Sequence, residues 1–169
     1  HDADGDLDLV IGNWEGRQLY YENTGSLTTP EWTRDEVINY IGIDITFNSA
    51  PAMVDLNGDA LLDLVVGYRN WSKKSALFAY INQGTVESPD WVQDVSAFPA
   101  TVDVVERYTA PTFVDIDGDS DQDLVMGNWD GRLYLFENTG TASSPIWTFR
   151  PTFFLGIDTG NHSIPAFAD

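Results

Sequence analysis

The chain has 169 residues, 43% hydrophobic and 13% aromatic, with a formal charge of −19 and no cysteine. That length carries a packed core, and the aromatic content excludes a disordered acidic tail. Eight Lys and Arg against 27 Asp and Glu exclude nucleic acid and anionic membranes as partners, and the lack of cysteine removes disulfides, thiolate chemistry and cysteine zinc sites.

No run of apolar residues is long enough for a membrane span, and no signal peptide stands at the start. The chain opens with HDADGDLDLVIG, alternating aspartates running into a strand, DLVIG. NWEGR follows as a tight hairpin, with Gly16 supplying the positive φ. An ENTG segment and Pro30-x-Trp32 come next, then a connection, YIGIDITFNSAP. PAMVD, DLVVG, ALFAYIN and a segment around DWVQDV are short, rich in β-branched and aromatic residues, and bounded by turn formers. YRNWSKKSA carries a four-residue insertion where the hairpin would stand. TAPTFVD, DLVMG and the hairpin NWDGR, with Gly131, repeat the pattern, and FLGIDTGNHSIP leads to SIPAFAD. Sustained helical periodicity is missing throughout.

These elements form three repeats. Asn23, Asn82 and Asn138 each lie two residues before a glycine and seven before Pro30, Pro89 and Pro145. Trp32, Trp91 and Trp147 follow those prolines by two. Pro51, Pro111 and Pro165 each precede an aspartate, Asp55, Asp115 or Asp169, by four. Steps between these aspartates are 60 and 54 residues, and the wrap from Asp169 through His1 to Asp55 is 55. Such a period suits four-stranded propeller blades, an all-β architecture with three blades per chain. Blade 1 spans 1–54, its first strand supplied by 163–169 of a neighbouring chain. Blade 2 spans 55–114, with a first strand starting near 49. Blade 3 spans 115–169, with a first strand starting near 109.

Each acidic loop places oxygen ligands at positions 1, 3, 5, 7 and 9. The third has Asp115, Asp117, Asp119, Asp121 and Asp123; the second has Asp55, Asn57, Asp59, Leu61 and Asp63, with Leu61 offering its carbonyl. The first has Asp169, then Asp2, Asp4, Asp6 and Asp8. Hard oxygens at this density suit Ca²⁺, which takes six to eight in flexible geometry; Mg²⁺ tolerates loose geometry poorly. Gly58 and Gly118 at position 4, and Gly5 at position 6, let the backbone curl around an ion. An EF-hand needs Glu at position 12 and flanking helices, but Ile11, Val66 and Met126 stand there inside strands. Solvated acidic turns would need no metal, yet thirteen of the 27 acidic residues fall at ligand spacing. About three Ca²⁺ per chain are expected, leaving a charge of about −13.

The loops, the ENTG segment and the Pro-x-Trp and Ala-Pro landmarks resemble the FG-GAP/VCBS repeat family over essentially the whole chain. The resemblance implies an integrin-like β-propeller, calcium in a loop between the first two strands of a blade, and an extracellular or cell-surface setting. It implies use in adhesion, in ligand binding, or as a scaffold beside a catalytic domain. Phe-Gly is absent as a literal pair, Ile164-Pro165 departs from Ala-Pro, and the middle loop has only three carboxylates. Closed propellers need about four to eight blades, so a head-to-tail homodimer with a six-bladed ring is expected, against an excised fragment of a longer propeller.

Trp32, Trp91 and Trp147 are expected in the core, with Tyr21, Tyr80 and Phe136 packing between sheets. Asn13, Trp14, Arg17, Asn128, Trp129 and Arg132 surround the hairpins as candidates for stacking on a sugar ring and bonding its hydroxyls. Asp44, Asp158 and His162 fall on connections that line a central pocket or merely pack. The leading function is a calcium-stabilised binding module for carbohydrate or protein. A purely structural assembly unit is the alternative. An enzyme acting on polysaccharide ranks last, because the chain has two His, no Cys and no nucleophile–base signature.

Overall fold

The computed structural model describes residues 4–34, 43, 45, 47–68, 76–99 and 108–168. Asp2, Asp44, Asp169 and the hairpin-replacing residues 69–75 lie outside the described residues. Eleven strands form three antiparallel meanders, and no helix occurs among the described residues, hence none long and apolar enough to cross a membrane. The first sheet has three strands, β1 (Leu9–Gly12), β2 (Gln18–Asn23) and β3 (Trp32–Arg34). The second has four: β4 (Ser49–Val54), β5 (Asp63–Tyr68), β6 (Ala76–Asn82) and β7 (Trp91–Asp94). The third repeats that order with β8 (Ala110–Val114), β9 (Asp123–Gly127), β10 (Leu133–Asn138) and β11 (Trp147–Arg150).

The expected strands DLVIG, PAMVD, DLVVG, ALFAYIN, DWVQDV, TAPTFVD and DLVMG are present, and Gly16 and Gly131 in the two hairpins have positive φ, 86° and 78°. The first sheet has three strands instead of the expected four, and residues 164–168 join no sheet. DLVVG and DLVMG read as unbroken apolar runs because both faces of β5 and β9 are covered. Leu64 and Val66 face the first sheet with Tyr20, Ile43 and Ile45, while Val65 and Ala79 face the third with Leu124, Met126 and Phe136. Burying several such side chains, at about 1.5–3 kcal/mol each, dominates what holds the sheets together.

The repeated asparagines explain their own spacing. Asn23 Oδ1 accepts from Gly25 N and Glu31 N; Asn82 Oδ1 from Gly84 N and Asp90 N; Asn138 Oδ1 from Gly140 N and Ile146 N. The glycine is thus two residues on, and the other donor directly follows the proline. One side chain closes the turn that a backbone hydrogen bond would otherwise have to close.

Adjacent sheets are joined at the hairpin ends by a serine latch. Ser49 Oγ accepts from Asn13 N and donates to Arg17 O; Ser163 Oγ does the same with Asn128 N and Arg132 O. The residue before each serine is left-handed, Asn48 (φ 45°) and His162 (φ 63°), and so is Tyr108 (φ 61°) before Thr109, the residue at the matching place ahead of β8.

The tryptophans depart from the uniform core expectation. Trp147 is 8% exposed, lies against Phe98 and donates its indole N–H to Ala97 O, 2.9 Å away. Trp91 is partly buried in the first seam, but Trp32 is 49% exposed. Phe136 is fully buried, Tyr80 packs in the first seam, and Tyr21 is half-buried; its neighbour Tyr20 is the buried tyrosine of the first sheet.

Candidate metal centre

The second and third acidic loops leave the first strand of a four-stranded sheet and enter the second, and the first loop leads into β1. In the third loop Asp115 heads a turn: its Oδ1 accepts from Gly118 N and Asp119 N, and its Oδ2 from Ser120 N. Asp55 does the same with Gly58 N, Asp59 N and Ala60 N. Gly58 and Gly118 at position 4 have φ of 75° and 83°, and position 6 is left-handed as well, in Gly5 (99°), Ala60 (68°) and Ser120 (77°). Non-glycine residues there carry strain of order 1 kcal/mol. The curl is therefore built into the loop by its own carboxylate–amide bonds.

The position-9 aspartates have a task that spacing alone did not announce. Asp123 is fully buried, and its Oδ2 accepts from Ile116 N at 2.9 Å while Oδ1 accepts from Asn138 N at 2.8 Å. Asp63 makes the matching bonds to Leu56 N and Asn82 N, both 2.9 Å. Asp8 accepts from Asn23 N and from the Tyr20 hydroxyl. Each carboxylate pins the end of the strand that follows its own, β2, β6 or β10, and Asp63 and Asp123 hold the loop as well. Each oxygen retains a lone pair for a further interaction. Burial pushes the Asp63 and Asp123 carboxyls above their ordinary range, and the neighbouring loop carboxylates add to that push.

In the third loop one carboxylate oxygen from each of Asp115, Asp117 and Asp123 lies within 4.8 Å of the others. Asp121 is nine-tenths buried beside them, and its Oδ1 has no hydrogen-bond partner. Its surroundings are the seam between sheets two and three, a cavity of about 150 Å³ lined by Val54, Leu56, Asn138 and Trp147. Three convergent carboxylates make a donor set of hard oxygens, which fits a hard divalent cation, and the orphaned Asp121 oxygen lies in the same loop outside that group. Asp119 stands aside, its Oδ1 accepting from Asp121 N.

The other loops are less concentrated. Asn57 Nδ2 donates to Asp59 Oδ2 at 2.9 Å, so the second loop neutralises part of its own polarity. Leu61 is held by its N–H to Asp59 Oδ1. In the first loop Asp4 Oδ1 accepts from Asp6 N, the same step as in the third. Asp2 and Asp169, expected at positions 3 and 1, lie outside the described residues.

A family model described as FG-GAP-like repeat matches residues 1–66 and 55–126. The two matches overlap and cover most of the chain, taking in residues from all three acidic loops. The chain belongs to the FG-GAP-like repeat family. No curated protein and no solved structure matches it.

Asp121 gives this FG-GAP-like chain a pH signature when metal is withheld. Burial first, then the Asp119 carboxylate beside it, pushes the Asp121 carboxyl up from 3.8 to about 6. Between those values the folded chain keeps a proton that the unfolded chain has released. Stability therefore falls as pH rises across that window. Urea unfolding in chelator is expected to show this decline, and Asp121→Asn to flatten it. An unchanged slope in the variant would assign the decline to other groups.

The hairpin residues of the FG-GAP-like repeats divide into two sets. Asn13 Oδ1 accepts from Arg17 N, and Asn128 Oδ1 from Arg132 N, so both asparagines shape the turn. Asn128 is also buried. Trp14 is exposed, and Trp129 packs edge-on against His162, with ring centroids 3.8 Å apart. His162 in turn stacks on Tyr108 at 5.4 Å. The guanidinium of Arg17 lies 3.7 Å from Glu15 in an exposed pair, and Arg132 is exposed. Asp158 is exposed and turns back to Gly160 N.

Proposed function

We propose that this chain is a calcium-stabilised β-propeller segment serving as a binding module for carbohydrate or protein in an extracellular setting. The metal half rests on one observation, the convergence of one carboxylate oxygen each from Asp115, Asp117 and Asp123 within 4.8 Å. Ca²⁺ supplies the charge that lets these carboxylates share one loop, and it would be held by those residues. The propeller half is supported by family membership and by meanders packed face to face through continuous apolar seams. The binding half is supported by the hairpin rim, where Trp14 and the Tyr108–His162–Trp129 cluster stand near Arg17 and Arg132. Flat aromatic faces beside guanidinium donors suit a sugar ring and its hydroxyls.

Calcium is tested by linkage. A site saturated at about 100 times its Kd adds about 2.7 kcal/mol, so melting followed in calcium and in chelator is expected to separate clearly. Asp117 is exposed and its charge opposes its neighbours, so Asp117→Ala is expected to shrink the calcium-dependent rise without lowering the melting temperature in chelator. Equal melting with and without calcium would overturn the metal reading. A glycan array on the calcium-loaded chain, repeated with Trp14→Ala and Trp129→Ala, tests the rim separately.

A further inference from the structure

The crevice between the second and third sheets holds a carboxylate oxygen that the chain leaves unbonded. Its inner hollow, about 150 Å³, is floored by the buried Val54, Leu56 and Trp147 and opens past the exposed Ser120, Gln122 and Ala142. Asp121 lines it too, is only 6% exposed, and has no hydrogen-bond partner for its Oδ1. This side chain stands at position 7 of its loop, outside the converging oxygens of Asp115, Asp117 and Asp123. Leu61 fills the same position in the second loop, where only the backbone carbonyl can serve an ion. An ion in these loops therefore has no need of the position-7 side chain.

A carboxylate held away from water needs a counter-charge or a set of donors. No lysine, arginine or histidine stands among the lining residues, and the Asp119 carboxylate beside Asp121 has the same sign. The walls decide among occupants. A buried water wants about two to four polar partners, and Ca²⁺ about six to eight oxygens. Here Asp55 has both oxygens engaged by backbone amides, and Asn138 Oδ1 accepts from two more. One unbonded carboxylate oxygen among largely apolar walls suits an amphipathic cation, with an ammonium at the oxygen and an alkyl stem along the floor. An apolar cavity of this volume takes a molecule the size of benzene, and the lysine side chain is comparable. A second hollow of about 390 Å³ shares Leu56 and Pro145 and continues past Asn57, Asp94 and Ser143. It gives polar groups to the backbone on either side of such a lysine, which favours a polypeptide over a small free amine. The formal charge of −19 also steers basic partners toward the chain.

We propose that the crevice takes a lysine side chain of a partner protein, its ammonium donating to Asp121 Oδ1 and its stem lying along Val54, Leu56 and Trp147. The bond is charge-assisted and sheltered by the seam, so it is stronger than an exposed ion pair. The site goes beyond the binding-module reading: it lies at the acidic-loop end of the sheets, opposite the hairpin rim, and requires no ion.

The test is a nuclear magnetic resonance titration of the 169-residue chain in physiological salt, with calcium and with chelator, following the Trp147 indole N–H. The probes are acetyl-Gly-Lys-Gly-amide, its norleucine counterpart and n-butylammonium chloride. The lysine peptide is expected to shift the resonance in both solutions. The norleucine peptide keeps the stem without the charge and should bind at least about tenfold more weakly. Asp121→Asn should weaken the lysine peptide by a similar factor, and Ala142→Trp, at the exposed mouth, should exclude it with Asp121 intact. Asp130→Asn removes an exposed carboxylate at the hairpin end and should change its binding by less than about twofold. A response that Asp121→Asn leaves unchanged overturns the proposal. So does displacement of the peptide by calcium, which gives the Asp121 oxygen to the ion, or the lack of any peptide response, which leaves the hollow to water. Binding of n-butylammonium without the peptide overturns the partner lysine in favour of a free amine. A melting temperature insensitive to calcium, with the peptide still bound, counts against the metal site alone.

Discussion

Asp123→Ala is expected to destabilise the chain by about 2–4 kcal/mol, measured by urea unfolding in chelator so that no ion contributes. The substitution strands two backbone donors, Ile116 N and Asn138 N, which now bond the two carboxylate oxygens. Hydrogen bonds to a charged acceptor contribute about 1.5–3 kcal/mol each, and an unsatisfied buried donor costs about as much again as the bond is worth. Against that, burial and the Asp117 and Asp119 carboxylates already disfavour the ionised form, as the raised pKa records. Removing the charge relieves this opposition and keeps the net loss at the lower end of the sum. Asp123→Asn keeps one acceptor oxygen and should lose about half as much. A loss below about 1 kcal/mol for alanine would mean that the carboxylate is not the tie between loop and third strand.

Gly67→Ala is expected to cost about 3 kcal/mol or more, through packing rather than backbone strain. The new Cβ would overlap the Thr109 carbonyl oxygen and come within 2.8 Å of Pro111 Cδ. The obstacles are the backbone just ahead of the next sheet's first strand and the proline ring within that strand, neither of which has an alternative rotamer. Relief requires β8 to move off β5, opening the apolar seam that buries Val65, Leu124 and Met126. Gly118→Ala is the control: it meets no atom within 4 Å but sits at φ 83°, so only strain of order 1 kcal/mol applies. Hydrogen exchange should show β5 and β8 losing protection together in Gly67→Ala and not in Gly118→Ala. Equal effects from the two would sink the close-approach account.

The repeated landmarks were readable because each acts over a short stretch of chain. The Asn138 turn spans eight residues, the Asp115 turn five, and the hairpin at Gly131 four, so residue type and spacing already contain their geometry. The second role of Asp123 was not readable in the same way. Its partner Asn138 is fifteen residues on, and the two meet only because β9 and β10 pair in one register. A repeated Asn seven or so residues before each proline was the available sign that something at that strand end needed holding. Asn13 and Asn128 illustrate the opposite limit: an exposed sugar contact and a turn-shaping acceptor demand the same residue beside the same tryptophan. The hydrogen bond from Arg132 N distinguishes the second use; composition does not.

By itself the sequence determined three repeats, strands bounded by turn formers, hairpins with left-handed glycines, and loops whose alternate carboxylates invite a cation. These follow from covalent spacing and local backbone preference, and the copies share them apart from the middle repeat's insertion at the hairpin. Only the tertiary structure decided which copies of a repeated side chain are buried. Trp32 and Trp147 hold the same place in their repeats, yet one is half exposed and the other enclosed. Burial is conferred by a neighbouring sheet, and among the described residues Trp147 has one packed against it where Trp32 does not.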